Sequence, residues 1–215
     1  MDSQCALYAK TAGKLFWKAL LWVNWDVESE LIWVVDHLLR SDGNYFLRSI
    51  THSYDDLTST VLHVYCDASP FAMGFWYPSL ALGFQAPAHQ IFAQQEGSMF
   101  YLESLCICVA ILDAAPRLSP NQRLAVFTDN INTVQLFNSL SALLAFNWML
   151  ILVAEVADTA LNRGIDLQVF HVPGVQNEIA NALSRLQNGQ LASSYPELVI
   201  STFQPPPVML GAARL

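Results

Sequence analysis

Three acidic residues, Asp67, Glu103 and Asp129, lie in stretches of the sequence that are otherwise rich in apolar residues. Asp67 and Asp129 each come near the end of a short run, VLHVYCDA and RLAVFTDN, that is typical of a β-strand. Glu103 lies in YLESLCICVAIL, whose apolar residues surround the whole helix, and this pattern indicates a buried helix. A buried carboxylate is costly unless it is paired or binds a metal, and no lysine or arginine lies within one helical turn of Glu103.

The chemistry that three such carboxylates could perform depends on their meeting in space. Carboxylate oxygens suit Mg²⁺ or Mn²⁺, and a divalent cation would offset the repulsion between them. Two ions, roughly 3.5–4 Å apart, catalyse phosphodiester hydrolysis by holding the attacking water and stabilising the leaving oxygen. The structural alternative is that Asp67 and Asp129 cap a turn and a helix, and that Glu103 faces water at the edge of a sheet.

The elements that must position these residues follow the order β-β-β-α-β-α-α-β-α. We expect an α/β fold with a mixed five-stranded sheet, an antiparallel meander plus two parallel strands, and helices on both faces. If the first and fourth strands are parallel neighbours, Asp67 and Asp129 meet at the carboxyl edge of the sheet, where such folds bind ligands.

The chain divides into three predicted parts. Residues 1–58 carry helical periodicity in KLFWKALLWVNW and DVESELIWVVDHLLRSDG, which we interpret as a helical extension packed on the main domain. Residues 59–187 hold the α/β domain. Residues 188–215 contain YPELVISTFQPPPVMLGAARL, and we expect an extended tail along the surface.

Four motifs carry a resemblance to a known family: VYCDAS, YLESLCICVAIL, VFTDN and, most specifically, HVPGVQNEIANALSR. Together they resemble the type 1 ribonuclease H family, and most closely the ribonuclease H domain of retroelement reverse transcriptases, over residues 61–187. The preceding LIWVVDHLLRSDG is similar to the segment that joins polymerase to ribonuclease H in retroelement polyproteins. FQPPPVMLGA in the tail is also similar, though less specifically.

The resemblance implies a ribonuclease H-like fold and a set of site residues. Asp67, Glu103 and Asp129 match three of the family's four metal-binding carboxylates, and Asn181 stands at the position of the fourth. His171 matches a histidine that assists proton transfer or product release. The implied activity is metal-dependent hydrolysis of the RNA strand of RNA–DNA hybrids with two Mg²⁺ or Mn²⁺ ions. The polymerase part of a parent polyprotein is the implied partner.

Asn181 decides between two hypotheses about the activity. Asparagine is nearly isosteric with aspartate but brings no negative charge, and a loss of ~3–5 kcal/mol in transition-state stabilisation would lower the rate roughly 10²–10⁴-fold. The chain is then an impaired endonuclease, active at high metal concentration or with Mn²⁺. The alternative is a catalytically inactive retroelement-derived remnant that acts as a protein-interaction module through its N-terminal helices. For His171, independently of these hypotheses, the alternative is a structural hydrogen-bonding role. A third hypothesis, an integrase-type nuclease, would use Glu178 on the last helix.

The charge of the chain bears on nucleic-acid binding. The net charge is −8, and proteins that bind nucleic acid by charge usually carry a basic footprint. We therefore expect weak binding of the hybrid by this chain alone, with bound ions offsetting part of the charge. The candidate nucleic-acid contacts are Ser69, Asn130, Asn132 and Arg185, each with a cap or turn role as the alternative.

Two further classes of protein are disfavoured by the sequence. The four cysteines show no zinc-binding spacing, and those in apolar runs are typical of buried free thiols. The longest uncharged apolar stretch, LSALLAFNWMLILVA, is shorter than the ~20 residues of a membrane span. We expect no membrane partner and a cytoplasmic or nuclear location.

Overall fold

The computed structural model describes residues 25–40, 61–88, 98–119, 122–142, 146 and 149–206. The chain forms two compact units, Met1–Asn44 and Tyr45–Leu215. In the first unit the structure describes one helix, α1 (Trp25–Arg40), which lies where the sequence predicts helical structure. The predicted boundary near residue 58 falls in 41–60, outside the described residues.

The second unit contains six strands and five helices within the described residues. They are β1 (Val61–Ala68), β2 (Ala72–Tyr77), β3 (Leu82–Pro87), α2 (Ser98–Ala114), β4 (Arg123–Thr128), α3 (Ile131–Ser139), α4 (Leu150–Arg163), β5 (Asp166–His171), α5 (Glu178–Ser184), α6 (Asn188–Ser194) and β6 (Val199–Thr202). Up to α5 this order is the predicted β-β-β-α-β-α-α-β-α.

The strands form one mixed sheet in the order β5-β4-β1-β2-β3-β6. β1, β2 and β3 are an antiparallel meander, and β4 lies parallel to both β1 and β5. This arrangement confirms the predicted ribonuclease H-like α/β fold and the five expected strands.

The tail differs from the prediction. Residues 188–194 form α6, and β6 adds a sixth strand parallel to β3. The expectation of a tail extended from residue 188 is therefore wrong for α6. The cause is apolar burial: Leu191 of α6 is 2% exposed and packs in one cluster with Leu183, while Leu198 and Ile200 pack against the same cluster.

The main core lies between one face of the sheet and α2. Leu102, Leu105 and Ile107 of α2 are at most 1% exposed, as predicted for a buried helix. Residues Met99–Arg117 are, by length and composition, long and apolar enough to cross a membrane, but this helical stretch is largely buried inside the domain, as is usual for a core helix. Among the described residues Cys66, Cys106 and Cys108 are buried thiols that form no disulfide.

The opposite face of the sheet carries α5, so helices lie on both faces as expected. The approach is close at Gly74 of β2, where an added Cβ would lie 2.5 Å from Cβ of Leu183. Phe75, the next residue along β2, packs in the main core on the α2 side. Only glycine therefore fits at position 74 without moving α5 away from the sheet.

Candidate metal centre

The register of two parallel strands brings Asp67 and Asp129 together. Tyr65 of β1 pairs with Phe127 of β4, so the two aspartates, each two residues further on, occupy equivalent positions at the carboxyl edge of the sheet. Glu103 comes from α2, which packs against β1. One carboxylate oxygen from each of the three residues lies within 4.8 Å of the others. The predicted convergence is observed.

Glu103 places its carboxylate in the interior of the domain. It is 6% exposed, and its Oε2 has no hydrogen-bond partner within the described part of the chain. Burial, followed by the negative charges of Asp67 and Asp129, raises the pKa of Glu103 to about 9, while a hydrogen bond from the backbone N–H of Ala68 lowers it. Without a cation, this side chain therefore holds a proton near neutral pH.

Asp67 is also buried, but a neighbouring hydroxyl stabilises its charged form. Burial raises the pKa of Asp67 to about 6, and Asp129 adds to the increase. The hydroxyl of Ser184 donates a hydrogen bond to Oδ2 of Asp67, and this bond, together with the charge of Arg185, lowers the pKa. The competition between burial and hydrogen bonding leaves Asp67 more acidic than Glu103.

Asn177 and Ser184 tie α5 to the end of β1, and neither was predicted as a site residue. Asn177 is 1% exposed, and its Nδ2 donates to the carbonyl oxygen of Cys66 at 2.8 Å. The carbonyl oxygen of Ser184 accepts a hydrogen bond of 2.6 Å from Oγ of Ser69. The seven-residue spacing of Asn177 and Ser184 is compatible with one face of a helix, but nothing in the local sequence indicates that they contact β1.

Asn181 lies near the carboxyl edge of the sheet, and its side-chain amide nitrogen donates hydrogen bonds to backbone carbonyl oxygens. Its Nδ2 donates to the carbonyl oxygens of Asn177 at 3.1 Å and Gly174 at 3.4 Å. An added Cβ on Gly174 would lie 3.1 Å from Oδ2 of Asp129, so this turn runs directly beside the carboxylate of Asp129. Asn181 is half-buried there and contributes no charge.

His171 lies at the end of β5, opposite Thr128 of β4. Thr128 directly precedes Asp129, so the histidine belongs to the same edge of the sheet. Its side chain is exposed. This placement is compatible with either predicted role, and proton transfer by His171 stays a prediction.

The predicted nucleic-acid contacts fall into two groups. Ser69 is 6% exposed, and its Oγ also accepts hydrogen bonds from the backbone N–H groups of Phe71 and Ala72. Oδ1 of Asn130 caps α3 by accepting from the backbone of Asn132 and Thr133. For Ser69 and Asn130 the geometry therefore favours the turn and cap roles.

Asn132 and Arg185 are exposed, so both side chains are accessible to a ligand. Glu178, on which the integrase-type hypothesis depends, is exposed at the start of α5 and is not part of the three-carboxylate cluster found among the described residues.

Comparisons with known proteins give one kind of match. No family model matches the chain, and no curated protein matches it. Among solved structures, the chain is similar to a ribonuclease H1 from the halophilic archaeon Halobacterium salinarum NRC-1, with 15% sequence identity and a TM-score of 0.46. The match covers 60% of this chain and 98% of the archaeal protein. The strand order and strand directions of the chain are those of a ribonuclease H-like fold.

Proposed function

We propose that this chain is a metal-dependent nuclease of the ribonuclease H type, which hydrolyses the RNA strand of RNA–DNA hybrids at a rate reduced by Asn181. The observation that carries the proposal is the convergence of Asp67, Glu103 and Asp129 within 4.8 Å at the carboxyl edge of the sheet. Ion pairing within the protein is a poor explanation for the cluster, since Glu103 is buried with one oxygen unpartnered among the described residues.

The donor set fits a hard divalent cation. All three side chains offer carboxylate oxygens, the ligands that Mg²⁺ and Mn²⁺ favour. An ion at this site would offset the repulsion that raises the pKa of Glu103 and would give its unpartnered oxygen a ligand role. When bound, divalent ions supply Lewis-acid activation of water and of phosphoryl oxygens. Asp67, Glu103 and Asp129 are the residues that would hold them.

The residues around the cluster would serve the reaction in different ways. Asp129 is only half-buried, so the cluster opens towards solvent at the side where a duplex could approach. The exposed imidazole of His171, at the same edge, is suited to carry a proton to or from the substrate. Asp67 lies in β1 and Asp129 directly follows β4, so the pairing of these two strands sets the separation of the two carboxylates.

Asn181 accounts for the reduced rate in this proposal. Its side chain adds no negative charge to the site, and its amide nitrogen is bonded to two backbone carbonyl oxygens. A second ion would therefore be held weakly, because Asp67 would share it with the neutral amide oxygen of Asn181 and not with a second carboxylate. We further propose a retroelement reverse transcriptase as the context, in the cytoplasm or nucleus, with the polymerase part supplying most of the affinity for the hybrid.

The test is cleavage of a labelled RNA–DNA hybrid by the full chain and by Asn181→Asp, in Mg²⁺ and in Mn²⁺. We expect slow cleavage of the RNA strand by the unmodified chain, faster in Mn²⁺, and an increase of roughly 10²–10⁴-fold in Asn181→Asp, because a charged fourth ligand is restored. Asp129→Asn should abolish cleavage. Glu197→Gln, which removes an exposed carboxylate elsewhere, is the matched control and should change nothing.

A catalytically inactive protein-interaction module is the second candidate. The observation that favours it is the row of exposed apolar side chains on α1, where Leu31, Val35 and Leu39 are 55%, 55% and 81% exposed. If neither the unmodified chain nor Asn181→Asp cleaves the hybrid with either metal, the nuclease proposal fails and this candidate takes its place.

A further inference from the structure

We propose that Ser184 is a positioning residue for the metal centre: its buried hydroxyl holds one oxygen of Asp67 and leaves the other for a divalent cation. This inference rests on the proposed function, since it assigns a role at the same site. It concerns a residue of α5, the helix on which Asn181 fails to supply a carboxylate.

The hydroxyl of Ser184 has two possible hydrogen-bond acceptors. The Oγ atom of Ser184 lies within hydrogen-bond distance of Oδ2 of Asp67 and also of the carbonyl oxygen of Asn181, at 2.9 Å for the latter. A hydroxyl has one proton to donate, and a bond to a carboxylate is roughly twice as strong as a bond to a neutral acceptor. Ser184 is 0% and Asp67 4% exposed, so water does not compete. The proton therefore goes to Asp67.

Contacts with β1 and β2 and with the residue after β1 hold the backbone of Ser184 in place. The hydrogen bond from Ser69 fixes its carbonyl oxygen, and the hydrogen bond from Asn177 to Cys66 fixes the start of the same helix. At Gly74 an added Cβ would lie 2.8 Å from the backbone nitrogen of Ser184, so the strand and the helix are already in close contact. The hydroxyl is consequently held at a constant place relative to Asp67.

Through the hydroxyl of Ser184, α5 would help to position a metal ligand without supplying a charged side chain itself. With Oδ2 bonded to Ser184, Asp67 offers Oδ1 to a metal in one orientation. Removing an outer hydrogen bond of this kind typically weakens metal binding 10–100-fold, because the ligand loses its orientation.

The experiment measures Mn²⁺ binding to the full chain by electron paramagnetic resonance, which does not depend on activity. We expect Ser184→Ala to raise the Kd for Mn²⁺ about 10–100-fold. Ser184→Cys should have nearly the same effect, since a thiol fills the space of the hydroxyl but is a weak donor. Ser193→Ala is the matched control: Oγ of Ser193 donates to the carbonyl oxygen of Gly189 on the exposed side of α6, and its loss should leave the Kd unchanged.

Each other outcome overturns the inference. An unchanged Kd in Ser184→Ala means that the hydroxyl does not position Asp67, and normal binding in Ser184→Cys means that only the volume of the side chain matters. Asp67→Asn separates the two proposals. If it weakens Mn²⁺ binding while Ser184→Ala does not, only the inference about Ser184 is lost. If Asp67→Asn also binds normally, the metal centre and the proposed function are lost together with it.

Discussion

At the scale of single residues, Glu103 and Asp67 link the state of the metal centre to pH. In the folded chain the pKa of Glu103 is about 9 and that of Asp67 about 6, both above the ordinary values of 4.5 and 3.8. The folded chain therefore binds these protons more tightly than the unfolded chain does. Their contribution to stability is complete below about pH 4 and is lost as the pH rises towards about 9.

We accordingly expect the Tm of the metal-free chain to fall between about pH 5 and about pH 9, and the increase in Tm caused by Mg²⁺ or Mn²⁺ to grow over the same range. A divalent cation replaces the protons, and it binds better as they leave. Thermal unfolding with and without metal measures both trends. In Glu103→Gln the fall in Tm with pH and the pH dependence of the metal effect should both become smaller, whereas Glu197→Gln should behave like the unmodified chain. A metal effect independent of pH would contradict this coupling.

The three carboxylates could be predicted from the sequence because each is an anomaly in an apolar run. Ser184 could not, since a serine within a helix is ordinary and its partner Asp67 lies 117 positions away. Asn177 could not be predicted for the same reason: its hydrogen bond to Cys66 spans 111 positions and exists only once α5 has packed on β1. Polar contacts of this kind depend on tertiary packing, which local periodicity does not encode.

At the scale of elements, the site depends on how closely α5 approaches β2. Gly74 permits that approach because it has no side chain, and burial of the apolar cluster stabilises it. The cluster consists of Ile179, Ala182, Leu183 and Leu191. The strand and helix order was predictable from the alternation of patterns along the chain. β6 was not, because it has four residues and its burial depends on pairing with β3.

We expect Gly74→Ala to destabilise the fold and the site together, because the new methyl group would displace Leu183. Overpacking of this kind costs ~1–3 kcal/mol, and each kcal/mol lowers the Tm by ~2–4 °C in a chain of this size. Mn²⁺ binding should weaken as well, since Ser184 moves with Leu183. Gly189→Ala is the control, because nothing lies within 4 Å of a Cβ there. Equal Tm values for the two variants would rule out the tight packing at position 74.

At the scale of the whole molecule, the net charge of −8 limits how strongly the chain can hold nucleic acid. Two of the arginines in the α/β unit are already engaged: Arg117 with Asp113 at 2.9 Å, and Arg123 with Asp166 at 3.5 Å. Arg185 directly follows α5 at the carboxylate edge and is exposed. It is the candidate from the sequence that the geometry leaves best placed to meet a phosphate.

Arg185→Ala should weaken hybrid binding and reduce the slope of log K against log salt by about one, the change expected for one lost phosphate contact. Arg163→Ala is a matched control, since Arg163 is also exposed but ends α4, just before the amino end of β5. Fluorescence anisotropy of a labelled hybrid, without divalent ions, measures both. The same slope in Arg185→Ala and in the unmodified chain would show that Arg185 contacts no phosphate.

The sixth strand changes where this molecule could be shortened. A chain that stopped at residue 187, the end of the stretch that resembles ribonuclease H, would lose β6. The backbone N–H and C=O groups of β3 that now pair with β6 would then be left without partners. The shortened chain would also uncover Trp76 and Leu183, against which α6 and the tail now pack. Unpaired edge strands beside an apolar surface are sites where copies of a protein pair with one another and aggregate. The short tail thus acts as a guard against self-association.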